Sequence, residues 1–115
     1  MEFTPVEIFR AMNGKNIPNV KECEGQIIKP VAFHTHVYQG QDGSEHSVLV
    51  IKDGKTGGMY KTEVQAFIRQ FLAYDEAFGA LPDEEKPDIV ITMTISKKGN
   101  KYVTFDVMDS SSSET

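Results

Sequence analysis

Residues 89–108 alternate apolar and polar positions twice, on either side of a short basic turn. In an extended chain Ile89, Ile91, Met93 and Ile95 share one side, and Val90, Thr92, Thr94 and Ser96 share the other. After the turn, Val103, Phe105 and Val107 repeat the apolar set against Tyr102, Thr104, Asp106 and Met108. The pattern predicts a β-hairpin with one buried and one wetter face. Gly99-Asn100 suits its tight turn, because both residues tolerate positive φ.

Earlier segments carry other periods. Thr4, Pro5 and Glu7 form an N-cap, a first-turn proline and a capping box, and so open a short helix. Val6, Phe9 and Met12 give that helix an apolar side, and Asn13-Gly14 ends it. Residues 15–24 read as a connection. Residues 26–39 form one long extended run, with Val31, Phe33, Thr35 and Val37 opposite Ala32, His34, His36 and Tyr38, and with a bend expected at Pro30. Val48-Leu49-Val50-Ile51 is apolar on both faces, as in a central strand. Residues 59–61 form a short strand. Thr62-Glu63-Val64-Gln65 reads as a second capping box before the helical stripe Val64, Phe67, Ile68, Phe71 and Leu72, which runs to about Phe78 and stops at Gly79. Residues 80–87 form an acidic, proline-bounded loop.

This order is helix, three strands, helix, two strands. It predicts a mainly β domain over residues 1–108: an OB-fold, a five-stranded Greek-key barrel with a helix between strands 3 and 4 and a short N-terminal helix. An open α+β sheet with both helices on one face is the alternative architecture. The Ser-rich tail, 109–115, is expected to be disordered.

Bulk properties narrow the class. The chain has 115 residues, 39% hydrophobic and 25% charged, with a net charge of −5. That length supports a core without metal or disulfides, and Cys23 alone permits neither a disulfide framework nor a cysteine-based zinc site. No apolar run approaches a membrane span and the N-terminus lacks a signal-peptide core, so a cytoplasmic protein without membrane partners is expected. No P-loop, dinucleotide fingerprint or nucleophile elbow is present, and the carboxylates show no regular pairing, so no catalytic residues, cofactor or metal are assigned. His34-Thr35-His36, with His46 across the turn, is the sharpest metal pattern, but it lacks a carboxylate at a fixed offset.

The aromatic and basic residues form a more coherent set. Tyr38, Tyr60 and Tyr102 fall on strands at positions away from their apolar neighbours, and His34 and His36 share a side with Tyr38. Lys52, Lys55, Lys61, Lys97, Lys98 and Lys101 punctuate the same regions. Stacking rings combined with cationic side chains suit a single-stranded nucleic acid. The same barrel could instead serve as a protein-interaction or regulatory module.

The opening Pro5-Val6-Glu7-Ile8-Phe9-Arg10-Ala11-Met12-Asn13-Gly14, then Glu24-Gly25-Gln26-Ile27-Ile28, Met59-Tyr60-Lys61-Thr62, Phe67-Ile68-Arg69-Gln70-Phe71 and Ile95-Ser96-Lys97-Lys98-Gly99-Asn100-Lys101-Tyr102-Val103-Thr104 together carry a resemblance. Across nearly its whole length the chain resembles small OB-fold single-stranded DNA-binding proteins of phages of Gram-positive hosts. The resemblance implies non-catalytic, largely sequence-independent coating of single-stranded DNA during phage replication or recombination, in the host cytoplasm. It also implies replication or recombination proteins as partners and allows a homo-oligomer. Bacterial proteins of this type end in an acidic tip with a terminal phenylalanine. This chain ends Ser113-Glu114-Thr115, so the resemblance does not extend to that recruiting tip.

Overall fold

The computed structural model describes residues 3–13 and 17–108. The expected tail disorder and the helix stop at Gly14 lie outside the described residues. In chain order the elements are α1 (Pro5–Asn13), a 3₁₀ turn (Val20–Glu22), β1 (Ile27–Ile28), β2 (Pro30–Gln39), β3 (Glu45–Asp53), β4 (Met59–Thr62), α2 (Gln65–Phe78), a 3₁₀ turn (Asp83–Glu85), β5 (Ile89–Ile95) and β6 (Lys101–Val107).

The six strands form two antiparallel three-stranded sheets, ordered β2-β3-β4 and β1-β5-β6. The five-stranded barrel expected from the sequence is therefore not formed. Two local causes are visible. The expected long first strand is cut at Lys29, whose N–H donates to the Asp53 carboxylate and whose carbonyl accepts from Gly54 N–H. Pro30 then has no N–H to offer a ladder. The second cause is the segment before it: the 3₁₀ turn packs against β4, β5 and β6, and Asn19 bridges Lys61. Val20, read as part of a plain connection, is fully buried there. This wedge takes the seam that a β4–β6 pairing would need.

One core joins both sheets. Leu49, Ile51 and Tyr60 come from one sheet, Ile28, Ile89, Ile91, Val103 and Phe105 from the other, and Phe67, Ile68, Phe71 and Tyr74 from α2. Helix α2 begins two residues later than its capping box predicts, with Val64 and not Thr62 as N-cap. Thr62 is buried in β4, where its hydroxyl accepts from Val64 N–H, and the N-cap Val64 has no side-chain cap.

The opposite face of β3 explains its double-sided apolarity. Val48 and Val50 pack with Ala11, Ile17, Phe3 and Met59, so α1 covers the outer face of the β2-β3-β4 sheet. The helices thus lie on opposite faces of that sheet, not on one. The Thr4–Glu7 capping box forms reciprocally: Thr4 N–H donates to Glu7 Oε1 at 2.9 Å, and Glu7 N–H to Thr4 Oγ1 at 3.2 Å. The side of α1 is reversed, however. The small Ala11 faces the sheet, whereas Val6, Phe9 and Met12 are 58%, 71% and 58% exposed. Among the described residues no helix is long and apolar enough to cross a membrane.

Candidate nucleic-acid interface

The β5–β6 hairpin forms in the register its alternation demands, from Ile89 opposite Val107 to Ile95 opposite Lys101. Gly99 takes φ 87° in the turn. Ser96 organises the tip: its N–H donates to the Asn100 carbonyl and its carbonyl accepts from Gly99 N–H. Lys97, Lys98 and Lys101 are exposed there. None of their ammonium groups meets a carboxylate among the described residues.

Tyr102 lies next to the tip on the outer face, opposite Thr94 and half-buried. Further along the same face, Thr104 shares its hydroxyl with Thr92 and Thr94 at 2.9 and 2.8 Å. The face is therefore a hydroxyl strip that leads to an aromatic ring and then to three cations. The threonines were not singled out by sequence reasoning, although their Thr-x-Thr alternation on the wet side was the available signal.

The other expected residues go elsewhere. Tyr60 is 8% exposed, and its hydroxyl accepts from the side chain of the exposed Gln26 at the edge of the core. The three tyrosines therefore share no face: Tyr38 sits on the outer face of one sheet, Tyr102 on that of the other, and Tyr60 between them. Burial, then the neighbouring Asp53, pushes the Tyr60 phenol up. Lys52 is buried, and its ammonium lies 2.7 Å from Glu7 Oε2. That hydrogen bond from Lys52 is the main reason the Glu7 carboxyl is held below the usual carboxylate range. Lys55 pairs with Asp88 at 2.7 Å. These two lysines pin α1 and the start of β5 to β3.

A second polar group gathers at the β2–β3 hairpin. The Tyr38 ring stacks on His46 at 5.1 Å between centroids, and its hydroxyl donates to the Glu63 carboxylate. His46 Nδ1 lies 3.4 Å from Glu63 Oε1, and its Nε2 lies 3.0 Å from Ser44 Oγ. Ser44 in turn donates to Asp42 Oδ1 at 2.6 Å. Hydrogen bonding to Glu63 pushes the Tyr38 phenol up, and Ser44 holds the Asp42 carboxyl down. One face of the Tyr38 ring is thus already occupied. Ser44, His46 and Glu63 are ordered as nucleophile, base and orienting carboxylate would be, but the serine proton is directed at Asp42.

His34 and His36 project to the same outer face as Tyr38, as their spacing requires, with ring centroids 5.6 Å apart. His34 Nε2 and His36 Nδ1 are buried without hydrogen-bond partners. His46 is turned toward Glu63 and Ser44, and no group of residues that could hold a metal ion is found among the described residues. Lys61 flanks a groove of about 400 Å³ between α1 and this face, with His36, Tyr38, Glu63 and Met12.

Burial pushes the His36 imidazole below its ordinary value, the neighbouring His34 adds to this, and Glu63 opposes it. In the unfolded chain the group returns to about 6.5. The folded state therefore binds fewer protons, and its stability is full above that value and falls as pH drops below it. Between pH 7.5 and 5.5, wild type should lose more stability than His36→Gln, as read by denaturant melts at each pH. An NMR titration placing His36 at or above the free-imidazole value would contradict this environment.

No family model, curated protein or solved structure matches this chain.

Proposed function

We propose that this protein binds single-stranded DNA without catalysis and largely without regard to sequence, through the outer face and tip of the β5–β6 hairpin. The observation that carries the reading is the tip itself. In a chain of net charge −5, three exposed lysines with no carboxylate partner among the described residues sit beside a half-exposed tyrosine. The cations suit phosphates, and the ring suits a base face. The sequence resemblance supports a setting in phage replication or recombination, within the host cytoplasm and alongside proteins of those processes.

Tyr102 is the stacking residue of this site. Tyr102→Ala should weaken binding to a labelled dT oligonucleotide by about 1–3 kcal/mol, whereas Tyr102→Phe should bind like wild type. Because Tyr102 faces outward from the core, melting curves of both variants should stay near that of wild type. Undiminished binding by the alanine variant would show that the ring only covers the sheet.

A polypeptide-binding role is the second reading, and it is favoured by the outward Val6, Phe9 and Met12 of α1. It predicts no measurable oligonucleotide binding even at low salt, which separates it from the first.

A further inference from the structure

Strand β2 is an edge strand ten residues long, bonded to β3 on one side only. Gly40 N–H donates to the Ser44 carbonyl, in line with the β2–β3 register. Because bonded and non-bonded pairs alternate in an antiparallel ladder, even-numbered residues of β2 face β3. Phe33, Thr35, Val37 and Gln39 then turn their N–H and C=O groups outward, where none meets a partner among the described residues.

Exposed edges are ordinarily blunted by charges, bulges, prolines or short length. From Pro30 to Gln39 there is no Lys, Arg, Asp or Glu, and the proline and the irregularity in register lie only at the start. Val37 is 57% exposed. A cavity of about 290 Å³ opens beside the first half of the strand, between Phe3 on one side and Phe33, Phe71 and Tyr74 on the other.

We propose that β2 pairs antiparallel with β2 of a second copy about a two-fold axis at Thr35, joining two three-stranded sheets into one of six strands. Self-complementarity selects a second copy as the occupant. Centring on Thr35 uses the whole stretch 31–39. It sets Thr35 against its symmetry mate once, on the axis, and sets Phe33 against Val37 and the small Ala32 against the large Tyr38 twice each. With no Lys, Arg, Asp or Glu on either strand, the only titratable groups brought face to face are imidazoles, His34 falling opposite His36 of the second copy. The end of the partner strand, from Val37 to Gln39, runs alongside Val31–Phe33 and so lies at the cavity. This interface is separate from the β5–β6 hairpin, so it stands or falls independently of DNA binding.

The test is sedimentation equilibrium together with oxidative cross-linking. Wild type should have twice the chain mass. Thr35→Pro removes an outward N–H that β3 does not use, so it should yield a folded monomer. Val37→Lys, at an exposed position, should preserve folding and weaken the dimer by about tenfold or more. In a Cys23→Ser background, Thr35→Cys should form a covalent dimer, since paired residues lie within disulfide reach. Val37→Cys should not, because its symmetry mate is offset by about 13 Å along the strand. A wild-type monomer at every concentration overturns the proposal. So does a dimer that survives both Thr35→Pro and Val37→Lys, or that cross-links at Val37 and not at Thr35.

Discussion

Phe71→Ala should cost this protein about 3–5 kcal/mol, the range for truncating a fully packed aromatic residue. Phe71 is 2% exposed. Its ring meets Phe33 at 5.2 Å, Tyr74 at 5.5 Å and Phe105 at 6.1 Å, so one side chain links α2 to both sheets. With no closed barrel to hold the two sheets together, α2 and the wedge at Val20 help join them, alongside the shared core and the Lys55–Asp88 pair. The alanine variant loses the transfer free energy of the ring and leaves a void that three aromatic neighbours cannot fill without leaving their own contacts. Total stability for a small domain is about 5–15 kcal/mol, so this variant should sit near the edge of folding. Urea unfolding measures it directly. Leu72→Ala is the internal comparison: Leu72 is 46% exposed one position along and should cost about 1 kcal/mol or less. Equal costs at the two positions would mean that α2 is rotated from the orientation described.

The β5–β6 hairpin was legible because its signals agree. Strict alternation, a Gly-Asn turn and a lysine cluster all point the same way, and the observed register follows them. The Thr4–Glu7 box was legible for the same reason, since a local motif needs only local partners. Tyr60 was not legible. In Met59-Tyr60-Lys61-Thr62 polar and apolar residues do not separate by parity, so a four-residue strand gives no phase. The structure buries Tyr60 and Thr62 together. Lys52 and Lys55 resemble the other lysines in sequence, yet their partners, Glu7 and Asp88, come from distant elements brought beside β3 by the fold. The orientation of α1 was misread because its large apolar residues suggested the packed side. The close approach to β3 instead requires a small residue, Ala11. Barrel closure failed on the least conspicuous stretch, the segment around Val20, where Ile17, Val20 and Cys23 stand among polar residues and a proline and are too few to mark an element.

The largest effect on binding should come from the hairpin tip. Lys97, Lys98 and Lys101 project from one turn with no carboxylate partner among the described residues, so their charges are available to phosphates. Each phosphate contact to a single strand contributes roughly 0.7 to the slope of log K against log salt, through release of condensed counterions. Near 0.1 M salt the triple change Lys97→Ala, Lys98→Ala and Lys101→Ala should therefore weaken binding by about two orders of magnitude. Lys55→Ala is the matched control. It removes one positive charge, from a side chain already held by Asp88, so it should leave the slope close to that of wild type. Folding of the triple variant should be unaffected, because the tip carries no core residue.

Fluorescence anisotropy of a labelled dT oligonucleotide, titrated with wild type and the triple-lysine variant from about 50 to 200 mM salt, tests the hairpin interface most directly. The slope for the triple variant should be shallower than wild type by about two units. An unchanged slope, with wild-type affinity retained across the range, would contradict a nucleic-acid interface at the β5–β6 hairpin.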